Sequence, residues 1–346
     1  MTNTAVPNKL KILIYGEPLN WGMGPNLVES YKTLGHDAEL YDYTQFLYTT
    51  KKYTLFNRVL DRLLFRSIAR NINNELMNTV ESKRYDLLIV LKGIHLYSKT
   101  IVSIKRNVDL VVNWNTDDFF NPLNNSNYLL ESFGKYDCIF TARGHLIDEY
   151  LKKGAKRVEV LDWYFNPKYQ HPVDITESEK INYGSDIVFV GNWSPRREEF
   201  ISHLYGMNIR VWGGGWHKSK KQFRARIECR SPIFEKEMTK VICASKININ
   251  LLTVENNDTS NFRNFEVPAC NAFQLSEYSK RISELFDENK QIAFFSLPEE
   301  LRSQCEYFLN YPEQREIIKM EGADRVRVEG NTIIDRAQDL LSLLCK

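Results

Sequence analysis

The feature that most constrains the fold is an alternation of short apolar segments with amphipathic ones. In the first half, segments such as Lys11–Tyr15 and Asp86–Leu91 are apolar and short enough for buried strands, and helix-like stretches such as Asn26–Leu34 separate them. Strands that alternate with helices in this way build a parallel sheet covered on both faces. The same alternation restarts at Asp186–Val190. The sequence therefore predicts an α/β protein with two doubly wound, Rossmann-like sheets in series.

The length agrees with two domains, because the chain has 346 residues and one domain has about 150. A polar stretch without apolar periodicity predicts the connection between them. We expect an N-terminal domain over 1–168, a linker over 169–185, a C-terminal domain over 186–330, and a C-terminal helix over 331–346 that packs back on the N-terminal domain. Ligands bind outside the carboxyl ends of parallel strands, so two such domains predict a cleft.

Composition excludes several classes of protein. With 46 Lys and Arg against 44 Asp and Glu, the net charge of +2 gives no field that would attract nucleic acid. The apolar runs are far shorter than the roughly 20 residues of a membrane span, and the polar N-terminus predicts no signal peptide. Six cysteines lack zinc-ligand spacing. We expect a cytoplasmic protein with reduced thiols and no metal.

Two acidic residues follow a predicted strand of the first domain. Asp117 and Asp118 lie where a carboxylate can act as a general base, or can simply cap the next turn. Asp118 is the preferred candidate. His145 and His95 are the alternative bases, although a lone histidine is more often structural.

The loop after the first strand of the second domain combines features suited to a diphosphate. Gly191 and Asn192 form a turn after a predicted strand, and Arg197 lies in the first turn of the helix that follows. Free N–H groups and guanidinium groups bind phosphate. A cation at a helix N-terminus interacts unfavourably with the helix dipole. This disfavours a purely structural role for Arg197.

A polar loop that runs into a helix forms a second candidate site. Glu266, early in this helix, can accept hydrogen bonds from two vicinal ribose hydroxyls, and Arg263 can contact phosphates. The alternative is that Glu266 only complements the helix dipole. The same candidate site includes Ser260, Asn261 and Phe262.

These motifs resemble the CgeB-like glycosyltransferases of the GT-B superfamily. The resemblance rests on Phe189-Val-Gly-Asn with Arg197, on Ser245–Asn250, and on Arg263-x-x-Glu266-x-Pro-Ala-Cys270; Tyr85-Asp-Leu-Leu extends it more loosely to the first half. It implies two Rossmann-like domains and transfer of a hexosyl or deoxyhexosyl group from a UDP-, GDP- or dTDP-sugar. The expected acceptor is a glycan, a lipid-linked glycan or a protein. The resemblance also implies that no cofactor or metal is tightly bound. A role in the assembly of bacterial surface polysaccharide is expected only by analogy with the fold.

The resemblance also implies residue roles. Asp258 and Glu266 match an acid-x7-acid pair, the first acid near the donor sugar and the second on the ribose, although Asp is the shorter acid. Arg197, Arg263 and Lys246 would stabilise the leaving diphosphate. If the reaction inverts the anomeric centre, Asp118 takes the acceptor proton; a retaining reaction needs no such base. Asn271 departs from the family, which usually has Gly there.

Three tryptophans at predicted strand ends or loops are candidates for stacking on sugar rings. They are Trp21, Trp114 and Trp193, and Gly22 lies beside the first of them. We expect these residues to face the acceptor or the donor sugar.

Four arginines recur every four residues beside apolar side chains and predict a basic amphipathic helix. They are Arg58, Arg62, Arg66 and Arg70. Such a helix either contacts anionic lipid at the cytoplasmic membrane face or is a solvated helix face.

Two rival functions remain from the sequence. A non-catalytic module with this fold could bind a sugar nucleotide or a glycan, because Asp258 and Asn271 depart from the family pattern. A nicotinamide-dependent dehydrogenase is disfavoured, since the chain lacks a GxGxxG fingerprint with a downstream ribose acid.

Overall fold

The computed structural model describes residues 9–20, 22–122, 124–253 and 259–346. The chain folds into two compact units, the first made of residues up to Asp162 together with Ile333–Lys346, the second of Trp163–Thr332. Each unit contains a six-stranded sheet in which every strand runs parallel to its neighbours.

The sheet of the first unit has the strand order β2-β1-β3-β4-β5-β6. Its central strands are apolar on both faces, as expected for a sheet covered by helices. The strands are β1 Lys11–Gly16, β2 Asp37–Asp42, β3 Tyr85–Leu91, β4 Val108–Asn115, β5 Cys138–Thr141 and β6 Val158–Val160. The helices are α1 Met23–Thr33, α2 Tyr48–Lys51, α3 Leu55–Leu63, α4 Phe65–Ser82, α5 Ser98–Ile104, α6 Asn127–Ser132 and α7 Ile147–Lys152.

The second unit repeats this architecture with the strand order β12-β11-β10-β7-β8-β9. Its strands are β7 Ile187–Val190, β8 Ile209–Trp212, β9 Glu228–Arg230, β10 Ile247–Asn250, β11 Gln274–Glu277 and β12 Ala293–Phe295. Its helices are α8 Glu177–Tyr183, α9 Pro195–Ser202, α10 Lys221–Arg224, α11 Glu235–Ala244, α12 Arg263–Ala269, α13 Lys280–Leu285, α14 Pro298–Asn310 and α15 Pro312–Val328.

The last helix, α16 Ile333–Leu344, belongs to the first unit and packs on α1. The buried side chains of Ala337 and Leu340 lie on one face of this helix. Arg157 of the first unit also donates a hydrogen bond of 2.7 Å to the carbonyl of Leu343.

The predicted α/β class with two Rossmann-like sheets is confirmed. The stretch predicted as a linker, 169–185, instead belongs to the second unit and contains α8, which packs on α11. A capping box between Thr176 and Glu179 starts this helix, a signal that the absence of apolar periodicity obscured. Strand β9 was missed because its Glu-Cys-Arg sequence has no apolar run.

Among the described residues, no helix is both long and apolar enough to cross a bilayer.

Candidate functional site

Two loops approach each other closely at the carboxyl ends of β7 and β8. The backbone N–H of Trp193 donates to the carbonyl of Gly214 at 2.8 Å, and the N–H of Gly214 donates to Oδ1 of Asn192 at 3.0 Å. A Cβ atom on Gly213 would lie 2.0 Å from the carbonyl oxygen of Gly191. Glycine is therefore required at position 213, and the loop after β7 is held in one shape.

Helix α9 starts in this loop and places two arginines at the carboxyl edge of the sheet. Ser194 caps the helix, accepting from the N–H of Arg197, and Pro195 occupies its first turn. Arg196 forms a bidentate ion pair with Glu277 at the end of β11, whose other contact is the N–H of Leu252 at 2.9 Å. The carboxylate of Glu277 is buried, so this pair fixes the position of Arg196.

Arg197 is held differently, by backbone carbonyls. Its guanidinium donates to the carbonyl oxygens of Asn192 and Leu251, both at 2.9 Å. Burial, reinforced by the positive charges of Arg263 and Arg196, lowers the pKa of Arg197 to about 10. Within the described ranges no carboxylate pairs with Arg197. Three guanidinium groups thus lie close together, and only two of them have an ion-pair partner there.

Helix α12 supplies the third guanidinium and a carboxylate. Arg263 and Glu266 form an ion pair one turn apart, and Nε of Arg263 lies 3.4 Å from the carbonyl of Val190 at the end of β7. The side chain of Glu266 is 14% exposed. The carboxylate therefore lies at the surface of the cluster, where it can exchange its arginine partner for ligand hydroxyls.

The segment before α12 is fixed by amide hydrogen bonds. The side chains of Asn250 and Asn261 exchange two of them, at 3.0 and 3.2 Å, and the N–H of Asn261 donates to Oδ1 of Asn264 at 2.9 Å. The ring of Phe262 packs against those of Trp163 and Tyr164. The start of α12 is thereby attached to the carboxyl end of β10.

Asn271 lies two residues after the end of α12. Asn271 adopts a left-handed conformation with φ of 52°, and its N–H donates to the carbonyl of Pro268 at 2.8 Å. Asparagine tolerates this conformation better than other non-glycine residues. Asn271 therefore adopts a backbone conformation that glycine would also favour.

In the first unit, the acidic candidates make local contacts. Oδ1 of Asp118 accepts hydrogen bonds from the N–H groups of Phe120 and Asn121, at 2.8 and 3.3 Å. Asp117 lies 3.2 Å from Nζ of Lys92, which follows β3. Asp118 thus caps the turn after β4, as one interpretation of the sequence allowed, and its role as a base stays a prediction.

The two histidines differ in environment. His145 is exposed in a short 3-10 helix, Gly144–Leu146. His95 is buried against the rings of Phe65 and Tyr43, at 4.9 and 5.6 Å, and burial lowers its pKa to about 4. A buried ring of this kind is unsuited to meeting an acceptor.

Two predicted site residues are in the wrong place, and a third is buried. Trp114 is in the core of the first unit at 2% exposure, because β4 is central in its sheet. Lys246 precedes β10 and pairs with Asp186, which precedes β7, at 2.6 Å; both lie at the amino edge. Ser260 is fully buried.

The other aromatic and loop candidates have mixed outcomes. Trp21 and Asp258 lie outside the described residues. Nε1 of Trp193 donates to Glu198 at 2.8 Å, and the ring is partly buried against the second unit's core. Gly22 precedes α1 and accepts a hydrogen bond from the side chain of Asn26 at 2.7 Å.

Sequence reasoning missed Glu277 and Asn250 as parts of the cluster. The available signal was position: Asn250 and Glu277 end strands, and parallel strands bring such residues to one edge. The arrangement can bind an anion at Arg197 and Arg263 and accept hydroxyl hydrogen bonds at Glu266. No group of His, Cys, Asp and Glu in the described part of the chain is arranged for a metal ion.

Comparison with known proteins finds a family model for part of the chain and solved structures of the same fold. Residues 196–342 match the family model described as glycosyl transferase-like. HepE from Anabaena in complex with UDP-glucose aligns with a TM-score of 0.67 and 12% identity, over 97% of this chain and 99% of that chain. The fold is that of the GT-B proteins.

Two further solved structures show the same GT-B fold. Sucrose-phosphate synthase from Thermosynechococcus elongatus aligns with a TM-score of 0.68 and 11% identity, over 97% of this chain and 98% of that one. A glycosyltransferase from Rickettsia africae aligns with a TM-score of 0.65 and 12% identity, again over 97% and 98%. No curated protein matches the chain.

Proposed function

We propose that this protein transfers a sugar from a nucleotide-diphosphate-sugar to an acceptor. The observation that carries the proposal is the cluster of Arg196, Arg197 and Arg263 at the carboxyl edge of the second sheet, with Glu266 at its surface. All four residues lie within the region that matches the glycosyl transferase-like family model, residues 196–342. UDP-glucose is the ligand named for the HepE structure of similar fold.

The chemistry of the leaving group explains the cationic residues. Transfer breaks the bond between the anomeric carbon and the diphosphate, and the departing oxygen gains negative charge. Arg197 and Arg263 stabilise this charge because they are fixed before the reaction, which avoids reorganisation in the transition state. We assign charge neutralisation to these guanidinium groups, without a tightly bound metal. Glu266 holds the ribose hydroxyls.

The acceptor side belongs to the first unit in this proposal. If the transfer inverts configuration, Asp118 or Asp117 removes the acceptor proton once substrate has displaced its present contacts. The transferred group is hexosyl or deoxyhexosyl, and the acceptor is a glycan, a lipid-linked glycan or a protein in surface-polysaccharide assembly.

We further propose that the enzyme belongs to the CgeB-like group and is cytoplasmic. Arg58, Arg62, Arg66 and Arg70, all exposed, would contact the membrane face.

A non-catalytic sugar-nucleotide or glycan-binding module is the second candidate. It is favoured by the state of the candidate bases, since Asp118 caps a turn and His95 is buried. The two candidates differ in turnover and not in donor binding.

The test is donor hydrolysis, in which water takes the sugar and nucleoside diphosphate is released, across a panel of UDP-, GDP- and dTDP-sugars. We expect the wild type to turn over one donor class and Glu266→Gln to lose at least tenfold in kcat/KM, since the variant removes a charge-assisted hydrogen bond worth about 1.5–3 kcal/mol. Glu284→Gln is the matched control, because the exposed Glu284 also pairs with an arginine three residues away, on α13. Donor binding without any turnover would favour the non-catalytic module.

A further inference from the structure

Helix α3 is attached to the protein by its polar side. The side-chain amide of Asn57 donates to the carbonyls of Tyr48 and Lys52, at 3.0 and 2.8 Å. The carboxylate of Asp61 accepts from the N–H groups of Tyr48 and Thr49 and from the Thr49 hydroxyl, at 2.7, 3.1 and 2.6 Å. The residues that an amphipathic helix usually turns to water therefore face the rest of the unit.

The apolar side of α3 consequently faces solvent. Leu55, Val59 and Leu63 are four residues apart, so they line one stripe of the helix, and Phe56 extends it. Their exposed fractions are 75%, 47%, 75% and 69%, and no residue of α3 is buried. Contiguous exposed apolar side chains of this kind mark an interaction surface.

Cations flank this apolar stripe along the chain. Residues 51–70 contain six cationic side chains and one carboxylate, whereas the whole chain carries only +2. The carboxylate is Asp61, which accepts a hydrogen bond from the N–H of Tyr48 on α2. None of the six cations forms an ion pair within the described ranges. They are Lys51, Lys52, Arg58, Arg62, Arg66 and Arg70, and all are exposed. The four arginines predicted on one helix are divided between two, because α3 ends at Leu63 and α4 begins at Phe65.

We propose that the face formed by Leu55, Phe56, Val59 and Leu63, together with the six exposed cations beside it in sequence, docks on an anionic lipid bilayer. An apolar stripe flanked by Lys and Arg is the composition of helices that lie in the membrane interface. Each cation near an anionic leaflet contributes about 1 kcal/mol. With nine residues α3 is about 14 Å long, which suits shallow insertion and not a span.

The docking face lies at the carboxyl edge of the first unit's sheet. Tyr43, which follows β2, donates to Glu17, which follows β1, at 2.7 Å. Phe65, which follows α3, packs on His95, which follows β3. This is the edge where Asp117 and Asp118 also lie. Resting on the proposed sugar transfer, the inference selects the lipid-linked glycan among the proposed acceptors, because docking brings this edge to the bilayer.

The test is co-sedimentation of the full chain with vesicles of phosphatidylcholine that contain about 30% phosphatidylglycerol, an anionic lipid. We expect wild-type binding that weakens as salt rises, and no binding to pure phosphatidylcholine. Phe56→Ser/Leu63→Ser and Arg58→Gln/Arg62→Gln should each weaken binding at least tenfold. The matched control is Ile317→Ser/Met320→Ser, two exposed apolar residues of α15, which should bind like the wild type.

Several results would overturn docking. They are the absence of wild-type binding to anionic vesicles, unchanged binding by Phe56→Ser/Leu63→Ser, and equal loss in the α15 control. A dimer in light scattering that dissociates in Phe56→Ser/Leu63→Ser would assign the face to a second copy of the chain instead. Donor binding is measured in parallel by calorimetry: its absence with vesicle binding intact contradicts sugar transfer and leaves docking standing.

Discussion

At the scale of single residues, Arg197 combines burial with like charge. Its two carbonyl contacts hold the guanidinium in place, while burial and the neighbouring Arg263 and Arg196 lower its pKa to about 10. The group is still protonated at neutral pH, so the site carries an unfavourable interaction among cations. A bound diphosphate would relieve it, which is why we assign the phosphate contacts to this position.

His95 gives a prediction about pH. Its folded-state pKa of about 4 lies below the ordinary value of 6.5 because burial disfavours the charged ring. The stabilisation that depends on neutral His95 is therefore complete above pH 6.5 and is lost as the pH falls from 6.5 towards 4, by on the order of 3 kcal/mol. Urea unfolding at several pH values measures this loss.

The matched comparison is His95→Phe with His217→Phe, since His217 is exposed. The first variant should lose most of the wild type's decline in unfolding free energy between pH 6.5 and 4, and the second should retain it. An unchanged pH profile in His95→Phe would contradict the assignment.

Residue-level prediction from the sequence succeeded only where a local pattern fixes position. The motif Arg263-x-x-Glu266 does place two side chains together, because residues three apart share a helix face. The predictions for Trp114 and Lys246 were wrong for a common reason. The sequence shows that a residue is near a strand, but the order of strands decides whether the residue is buried, and its position along the strand decides at which edge of the sheet it lies. Asn250 and Glu277 were missed because their partners are distant in sequence.

At the scale of elements, apolar runs predicted most strands because a parallel sheet buries both faces. The charged edge strand β9 lacks that signal. In α3 the amphipathic pattern was visible, but a pattern shows only that two faces differ. Hydrogen bonds from Asn57 and Asp61 to α2 decide which face turns inward, and no periodicity contains that information.

Asp61 is therefore expected to control the attachment of α3. Asp61→Ala removes three hydrogen bonds to Tyr48 and Thr49, and a hydrogen bond to a charged group is worth about 1.5–3 kcal/mol. Local opening should become at least tenfold more frequent, seen as faster amide hydrogen exchange across 48–63. Glu81→Ala, an exposed acidic position on α4, is the control. Unchanged exchange in Asp61→Ala would show that other contacts hold the helix.

At the scale of the whole molecule, two α/β units could be predicted from length and alternation, but the division between them could not. A polar stretch resembles a linker whether or not it packs, and the capped helix α8 within it packs on α11. The chain leaves the first unit at Asp162 and re-enters it at Ile333. The return of the chain to the first unit depends on the packing of the buried face of α16 against α1. This is a tertiary contact, which the local sequence pattern does not specify.

The central claim is that the carboxyl edge of the second sheet binds a nucleotide-sugar through Arg197, Arg263 and Glu266. Calorimetric titration with UDP-, GDP- and dTDP-glucose tests it most directly, comparing the wild type with Glu266→Ala and the control Glu284→Ala. We predict that the wild type binds at least one of the three, that Glu266→Ala binds it at least tenfold more weakly, which is about 1.4 kcal/mol, and that Glu284→Ala is unchanged. Wild-type affinity retained in Glu266→Ala, or no binding of any of the three donors by the wild type, would contradict the claim.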